Sequence, residues 1–158
     1  MKAGLTLLVF AALAAASPAH AKGSPDLIVI SGGGLSKAVE ITDPASLRAF
    51  DPWSGQFADW KQDAVAEPAC YRRSYEVLFY MKWPGRKSPL DRGELKMIYA
   101  TRYCFADGAG YVYLPGPGER NYAENNGTII RADRSGKWNR STPGWDKFIR
   151  TTVKSHPH

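Results

Sequence analysis

The acidic side chains of this sequence are the residues that could carry out catalysis, because an enzyme that hydrolyses glycans works with two carboxyl groups. One group acts as the acid and the other as the base or nucleophile, at a separation of about 5 Å or about 6.5 to 9.5 Å. The acids near a strand end, between tryptophans or in a long loop are Glu40, Asp43, Asp51, Asp59, Glu119 and Glu124. Acids in such places more often cap helices or form turns. A small carboxylate-dependent hydrolase of glycans is therefore the alternative hypothesis for this chain.

Three arginines, Arg72, Arg73 and Arg102, are candidates for binding an anion. The strand register described below places Arg72 opposite Arg102, with Arg73 beside it. Like charges that face each other across a ladder are destabilising, so a compensating group is expected. Internal pairing with Glu76 or Asp107 is the favoured interpretation. The functional interpretation is a bound anion, for which the forked guanidinium is well shaped.

Tryptophans offer a second way to bind a ligand, because exposed aromatic rings can form a platform for sugars. Trp53 and Trp60 lie in a segment without a clear period and are the candidates for such a platform. Core filling is the other interpretation, since a β-rich domain needs large side chains inside. Trp83, Trp138 and Trp145 are predicted to lie in the core or at its margin.

Histidine, the most frequent general base of enzymes, is scarce in this chain. His20 belongs to the N-terminal export signal described below, and His156 and His158 belong to the C-terminal tail. A Ser-His-Asp triad or a Cys-His pair is therefore not expected, and zinc or redox clusters lack ligands. The sequence predicts no catalytic residue, no metal site and no cofactor.

The glycine-rich segment 31–37, Ser-Gly-Gly-Gly-Leu-Ser-Lys, follows a predicted strand and resembles a phosphate-binding loop at first sight. A P-loop needs Gly-Lys followed by Ser or Thr, and the dinucleotide fingerprint needs a glycine where Lys37 stands. Both motifs also lead into a helix, whereas the residues after Lys37 alternate like a strand. The glycines are therefore predicted to form a hairpin turn.

The N-terminus has the composition of a secretory signal peptide. A lysine near the start precedes an apolar run over 5–16, and the small-x-small triplet Ala-His-Ala occupies 19–21. The apolar run is shorter than the roughly 20 residues that a membrane span needs. No cysteine precedes Cys70, so the thiol of a lipoprotein anchor is missing. We expect cleavage after Ala21, a secreted or periplasmic location, and one globular domain over residues 22–158.

The charge of the chain limits the choice of partners. The formal net charge is +6 for the whole chain and +5 once Lys2 leaves with the signal, and this charge attracts anionic polymers by long-range electrostatics alone. The basic residues are scattered rather than gathered into a run, which argues against nucleic-acid binding. The apolar segments after the signal are too short to span a bilayer. The expected partner is an anionic envelope polymer, a glycan or another protein, with no nucleic acid and no transmembrane span.

Two segments in the middle of the chain alternate apolar and polar residues with the period of a β-strand. They cover 71–83 and 95–105 and are joined by a Pro-Gly turn region. Cys70 and Cys104 lie at the open end of this long antiparallel hairpin. We expect them to form a disulfide, since an exported protein enters an oxidising compartment. Two free buried thiols are the alternative.

Direct opposition of the two cysteines would also fix the register of the hairpin. Tyr75 would face Tyr99, and Val77 would face Met97. All four side chains would then lie on one face, and a shift by one residue would break this match.

The remaining elements follow from local signals of turns and caps. A hairpin is predicted over 26–31 and 37–42, a short helix after Asp43, and a terminal amphipathic helix from Pro143. Further strands are predicted at 110–114, 128–131 and 137–140, with turns at Asn126-Gly127 and 133–136. The fold class is therefore α+β, with an antiparallel sheet of roughly five to seven strands.

The same segments resemble a group of uncharacterised exported or membrane-anchored bacterial proteins. The pattern comprises an Ile-Ser-Gly-Gly-Gly-Leu segment, Val-Glu-Ile-Thr-Asp-Pro, Phe-Asp-Pro-Trp, Tyr-Leu-Pro-Gly-Pro-Gly and Gly-Thr-Ile-Ile-Arg, at 30–35, 39–44, 50–53, 113–118 and 127–131. The resemblance covers most of the chain after the signal. It implies a single compact domain and no particular activity or site.

These observations favour a secreted, monomeric or weakly associating binding module without catalytic activity. Its ligand would be anionic, a glycan or a protein, and its candidate binding residues are Arg72, Arg73, Arg102, Trp53 and Trp60.

Overall fold

The computed structural model describes residues 23–85 and 88–156, so the predicted signal peptide at 1–21 lies outside the described residues. The strands are β1 (Leu27–Gly32), β2 (Val39–Ile41), β3 (Tyr75–Lys82), β4 (Leu95–Ala106), β5 (Ala109–Leu114) and β6 (Lys137–Arg140). The helices are α1 (Pro44–Ala49), α2 (Tyr122–Thr128) and α3 (Pro143–Lys154), with a 3₁₀ turn at Tyr71–Arg73. The strands form one antiparallel sheet in the order β2-β1-β3-β4-β5-β6. The predicted α+β class is confirmed.

One face of the sheet carries the main hydrophobic core. Strand side chains such as Ile28 and Phe79 pack there against Trp145 and Ile149 of α3. The Trp145 ring lies 6.1 Å from that of Phe79 and 6.2 Å from that of Phe57, which comes from the loop after α1. Burying large rings in this way is the main source of stability, at about 2 to 3 kcal/mol for each. The predicted core position of Trp145 is confirmed.

The opposite face is covered in two smaller patches. The first patch is a cluster under the β3–β4 turn region, formed by Leu27, Val29, Tyr80, Met97 and Ala100. The second patch surrounds the cysteines and is described with the functional site. Because both faces of β1 are covered, the four residues from Leu27 to Ile30 are all buried.

The hairpin of β3 and β4 is confirmed, but its predicted register is wrong. Tyr75 faces Tyr103, four residues beyond the predicted Tyr99, which instead faces Phe79. The shift is even, so the odd side chains of β3 remain on the core face. A bulge follows Phe79 and turns Met97 to the other face, where it packs in the first patch.

The predicted disulfide between Cys70 and Cys104 is confirmed, with the two Cα atoms 5.7 Å apart. Cys104 lies in the ladder opposite Tyr111, whereas Cys70 lies in the loop just before the 3₁₀ turn. The bridge therefore joins a loop to a central strand. The predicted strand began too early, because residues 71–73 form a turn and β3 begins at Tyr75.

The two predicted helices are confirmed, and both begin with a side-chain cap, of which only that of α1 was predicted. The carboxylate of Asp43 accepts the backbone N–H of Ser46 at 2.8 Å, and this hydrogen bond lowers the pKa of Asp43. The hydroxyl of Thr142 accepts the backbone N–H of Trp145 at the start of α3. Pro44 and Pro143 occupy the first turns, where a missing N–H has no cost.

The predicted strand at 128–131 and the turn at Asn126-Gly127 are wrong, because these residues fall in or after α2. The cause is a tertiary contact. β5 pairs with β4 only from Arg102 onward, so part of the β4 edge has no neighbouring strand. The side-chain amide of Asn125 donates to the Ala100 carbonyl at 2.8 Å and accepts its N–H at 2.7 Å, while Thr128 donates to the Ile98 carbonyl. Helix α2 thus supplies the hydrogen bonds that a neighbouring strand would otherwise make.

Candidate functional site

Three tyrosines and a tryptophan surround the disulfide on the face of the sheet opposite the main core. They are Tyr71, Tyr111, Tyr113 and Trp138. Tyr111 and Tyr113 belong to β5, Trp138 to β6, and Tyr71 to the 3₁₀ turn. Alternate residues of a strand share a face, so β5 presents both tyrosines beside Cys104.

Each of the three tyrosines carries an arginine on its ring. The guanidinium of Arg102 lies 4.2 Å from the ring centre of Tyr113, and that of Arg140 lies 4.7 Å from the ring centre of Tyr111. The guanidinium of Arg72 lies 5.5 Å from the ring centre of Tyr71, and its Nε–H donates to the Tyr71 hydroxyl at 2.7 Å. We call these three pairs, together with Trp138 of β6, the Arg–Tyr face.

The strand register explains how the Arg–Tyr face is built. Arg102 faces Tyr113 across one strand boundary, and Tyr111 faces Arg140 across the next. Each guanidinium therefore starts from the strand position directly opposite its ring. Ideal strand spacings place the Cα atoms of Arg102 and Arg140 about 12 Å apart.

The arginines of this face differ in their charge partners. The Arg102 guanidinium lies 3.6 Å from the Glu119 carboxylate, which also accepts the Tyr113 hydroxyl at 2.8 Å. Burial and this hydrogen bond raise the pKa of Tyr113. Within the described residues, no carboxylate lies within 4.0 Å of the Arg72 or Arg140 guanidinium. Arg72 and Arg140 therefore each have a tyrosine as their partner and no carboxylate among the described residues.

The prediction that Arg72 lies opposite Arg102 is wrong. Arg102 faces Glu76 in the ladder, and Arg72 lies outside the sheet in the 3₁₀ turn with Arg73. The predicted repulsion across the ladder is thus absent. Arg72 and Arg102 instead contact the same aromatic cluster: Arg72 lies on the ring of Tyr71, and Arg102 on that of Tyr113.

Arg140 was missed in the sequence, and Arg73 remains an exposed residue at the end of its turn. The strand that contains Arg140 was predicted, but its partner and register were not. The available signal was its position two residues from Trp138, which puts both side chains on one face of β6.

The predicted aromatic platform of Trp53 and Trp60 takes a different form, because both side chains are half-buried against the main core. The guanidinium of Arg131 stacks 4.8 Å from the Trp60 ring and donates to the Pro52 carbonyl. This arrangement fixes the loop after α1 and leaves Trp60 little surface for a ligand. Trp53 differs, because its indole N–H is buried and has no partner among the described residues.

The structure also tests the predicted core positions of Trp138 and Trp83. Trp138 is buried, as predicted. Trp83 is not in the core: 54% of its surface is exposed, because β3 ends at Lys82 and the ring extends beyond the sheet. The ammonium of Lys96 lies 5.1 Å from the centre of this ring.

The acids proposed for hydrolysis are mostly engaged in local structure. Asp43 caps α1 and Asp51 accepts the N–H groups of Trp53 and Ser54 in a turn. The other local contacts are those of Asp59 with Lys61 and Gln62, of Glu40 with Arg92, and of Glu119 with Arg102, Tyr113 and Gly116. Glu124 alone of the six lines the cavity described below, so the structure brings no two of them together there.

A buried pair on the core face involves a different acid. The hydroxyl of Tyr103 donates to the Asp146 carboxylate, which also pairs with Arg150 at 3.5 Å. Burial, and then the hydrogen bond and charge of Asp146, raise the pKa of Tyr103 well above 10.0. A proton on this phenol is therefore held firmly, which suits a structural bond between β4 and α3.

No cluster of three or more histidine, cysteine or acidic side chains among the described residues could hold a metal ion. None of the helices within those residues has the length and apolar character to cross a membrane. Comparisons of the chain with protein-family models, with curated proteins and with solved structures found no match.

Proposed function

We propose that the protein is an exported binding module without catalytic activity, and that it binds an anionic glycan through the Arg–Tyr face. The observation that carries this proposal is the set of three guanidinium groups stacked on tyrosines around the disulfide. Arg72 and Arg140 have no carboxylate within 4.0 Å in the described part of the chain. Their charge is therefore open to an external anion.

The stacking prepares these arginines for binding. A free arginine side chain loses rotamer freedom when it binds an anion, whereas a guanidinium held on a ring has lost part of it already. The fork of the guanidinium then matches a carboxylate, sulfate or phosphate group. Partly exposed Tyr71 and Tyr113 add apolar surface on which a sugar ring can lie.

The rigidity of the face supports the same proposal. β4, β5 and β6 supply two of the three pairs, and the disulfide ties the turn that carries the third to β4. The charges therefore keep a fixed spacing, which suits a polymer with regularly spaced acidic groups. The exported chain, which has lost Lys2 with the signal, has a net charge of +5, and this charge adds long-range attraction to such a polymer.

Export is part of this proposal and rests on the signal-like N-terminus together with the disulfide. Disulfides persist outside the reducing cytosol. Mass spectrometry of the protein isolated from its native host should give a mature chain that begins at Lys22. Its mass should be lower by two hydrogens than that of the reduced chain. A mature protein that keeps Met1, or that reacts with thiol reagents in its native state, would contradict export.

The alternative function, a carboxylate-dependent hydrolase, receives less support from the geometry. Such an enzyme needs two acids across a cleft. The acids near the tryptophans accept hydrogen bonds within their own turns, and Glu124 is the one acidic side chain among the described residues that line the cavity beside Trp53.

The experiment that tests the proposal compares two double variants of equal charge. Arg72→Gln with Arg140→Gln removes the two unpaired charges of the Arg–Tyr face, and Arg48→Gln with Lys61→Gln removes two exposed charges elsewhere. Both proteins are eluted with salt from immobilised heparin, used as a sulfated glycan. We expect the first variant to elute at clearly lower salt than the wild type, and the second to elute close to it.

Equal elution of the two variants would mean that net charge alone causes retention, and the proposal would fail. Anionic phospholipid vesicles and neutral dextran serve as the comparison surfaces. Binding to the vesicles without binding to heparin would assign the face to a lipid surface and would also contradict the proposal.

A further inference from the structure

A cavity lies away from the disulfide, between the β3–β4 hairpin, helix α2 and the loop after α1. Its volume is about 660 Å³, within the range of sites for small molecules. The proposed glycan site does not use it. Its wall includes Met81 of β3, Met97 of β4 and Glu124 of α2.

Most of the wall is apolar and adaptable. Met81 and Met97 provide flexible thioether side chains, which adjust to the shape of an apolar group. Trp53 and Trp83 add two large rings. Trp83 is exposed, and a ligand in the cavity would cover part of its ring.

Three polar groups of this wall have no partner of the expected kind. The indole N–H of Trp53 is buried without an acceptor among the described residues, although buried donors are nearly always paired. Lys96 and Glu124 both line the cavity, yet within the described chain neither forms an ion pair with the other or with a third residue. The cavity therefore offers a positive charge and a negative charge, whereas the indole N–H of Trp53 lies buried inside its wall.

We propose that this cavity binds a small zwitterion with an apolar body, such as a free amino acid with a large apolar side chain or a short peptide that contains one. The ligand carboxylate pairs with Lys96 and its ammonium with Glu124. The apolar side chain contacts Met81 and Met97.

Other ligand classes use fewer of these groups. A fatty acid would pair with Lys96 and leave Glu124 facing an apolar chain, at a cost in desolvation. An organic cation would pair with Glu124 but would be repelled by Lys96. A neutral sugar would leave both charges without a partner. The zwitterion is the class that pairs with both charges.

The test is a calorimetric titration of the full mature chain with phenylalanine and with the dipeptide Phe-Leu. N-acetyl-phenylalanine amide, which has lost both charges, and decanoate, which has only the negative one, are the comparison ligands. We expect at least one of the two zwitterions to bind, and the comparison ligands to bind at least about tenfold more weakly. Equal binding of the uncharged derivative, tighter binding of decanoate, or no binding of either zwitterion would overturn the proposal.

Variants then assign the binding to the cavity. Lys96→Met and Glu124→Gln keep side-chain size and remove one charge each, and each should weaken zwitterion binding by about tenfold or more. Lys137→Met and Glu67→Gln, at exposed positions outside this cavity, are the matched controls and should bind like the wild type. Loss of affinity in the controls as well, or none in the cavity variants, would contradict the assignment.

A further pair of variants keeps the test valid if a charge variant folds poorly. Trp53→Phe keeps a ring but reduces the wall surface that Trp53 provides, and the exposed Trp83→Ala removes wall surface with little risk to the fold. Both should weaken binding, with thermal unfolding as the check on folding. The Arg72→Gln, Arg140→Gln variant should bind the zwitterion normally, so the two proposals can fail separately.

Discussion

At the scale of single residues, the Arg–Tyr face shows how a ring can take the place of an acid. Arg102 has both a ring and a carboxylate, whereas Arg140 has the Tyr111 ring and no acid within 4.0 Å in the described chain. A cation over a ring at an exposed site gains about 0.5 to 1 kcal/mol, which positions the group without neutralising it. The charge remains available for a ligand.

A second residue-scale feature is the bond between Tyr103 and Asp146, which leads to a prediction about stability. Tyr103→Phe removes the donor and leaves a carboxylate with one partner fewer in a partly buried place. We expect the free energy of unfolding to fall by about 1 to 3 kcal/mol in urea denaturation. Tyr122→Phe, whose hydroxyl has no partner among the described residues, is the control and should change it little. Equal effects of the two variants would show that the bond to Asp146 is unimportant.

The same phenol makes stability depend on alkaline pH. Its pKa is raised in the folded protein, so above the ordinary value of 10.0 the unfolded chain releases this proton first. The stabilisation is complete below pH 10 and is lost as pH rises beyond it. Denaturant unfolding above pH 10 should therefore show a steeper loss of stability in the wild type than in Tyr103→Phe. Parallel pH profiles would contradict this prediction.

At the scale of elements, helix α2 protects an otherwise open strand edge. An unpaired edge exposes backbone groups that can recruit another strand. Asn125 satisfies both backbone groups of Ala100, and its own side chain is buried there. This contact also explains why a segment rich in asparagine and glycine, with low helix propensity, is helical.

Asn125→Ala tests that role. It leaves the N–H and the carbonyl of Ala100 without their partner, and we expect a loss of about 2 to 4 kcal/mol in the free energy of unfolding. Hydrogen exchange should accelerate at the Ala100 amide, while amides in β1 keep their order of protection. Asn126→Ala is the neighbouring control and should have a small effect. Unchanged exchange at Ala100 would mean that α2 does not seal the edge.

Elements with a clear period could be predicted from the sequence, whereas their pairing could not. Alternation identified β3 and β4, a cap with a first-turn proline identified α1, and the helical spacing of apolar residues after Pro143 identified α3, because these signals are local. The register depended on where Cys70 lies, and a disulfide joins a loop to a strand as readily as two strands. The bulge after Phe79 and the edge contact of Asn125 are tertiary features, so no local pattern predicts them.

The candidate site was predicted in part for the same reason. Residue type singled out Arg72 and Arg102, but Arg140 enters the site only through its opposition to Tyr111. Trp53 was chosen for an exposed platform and instead lines a cavity, because its loop packs against the core. Sequence could suggest the chemistry of these groups, and the sheet decides which of them meet.

At the scale of the whole molecule, the disulfide supports both stability and the proposed site. It closes a loop with a sequence separation of 34, which in the chain-entropy account stabilises the fold by about 4 kcal/mol. Cys70→Ala with Cys104→Ala should lower the free energy of unfolding by about that amount and should also weaken heparin retention, since the turn with Arg72 is then less fixed. Urea unfolding and salt elution measure the two effects. A stable variant with unchanged retention would contradict the linked role.

The most direct measurement of the central claim is an NMR titration of the isotope-labelled mature protein with a defined sulfated oligosaccharide. We predict that the largest amide shifts fall in Tyr71–Arg73, in β5 around Tyr111 and Tyr113, and in β6 near Arg140. Helix α1, which carries the exposed Arg48, should shift little. Two results would contradict the claim that the Arg–Tyr face is the binding site. The first is a set of shifts spread over all exposed lysines and arginines, and the second is a set concentrated at the cavity that Trp53 lines.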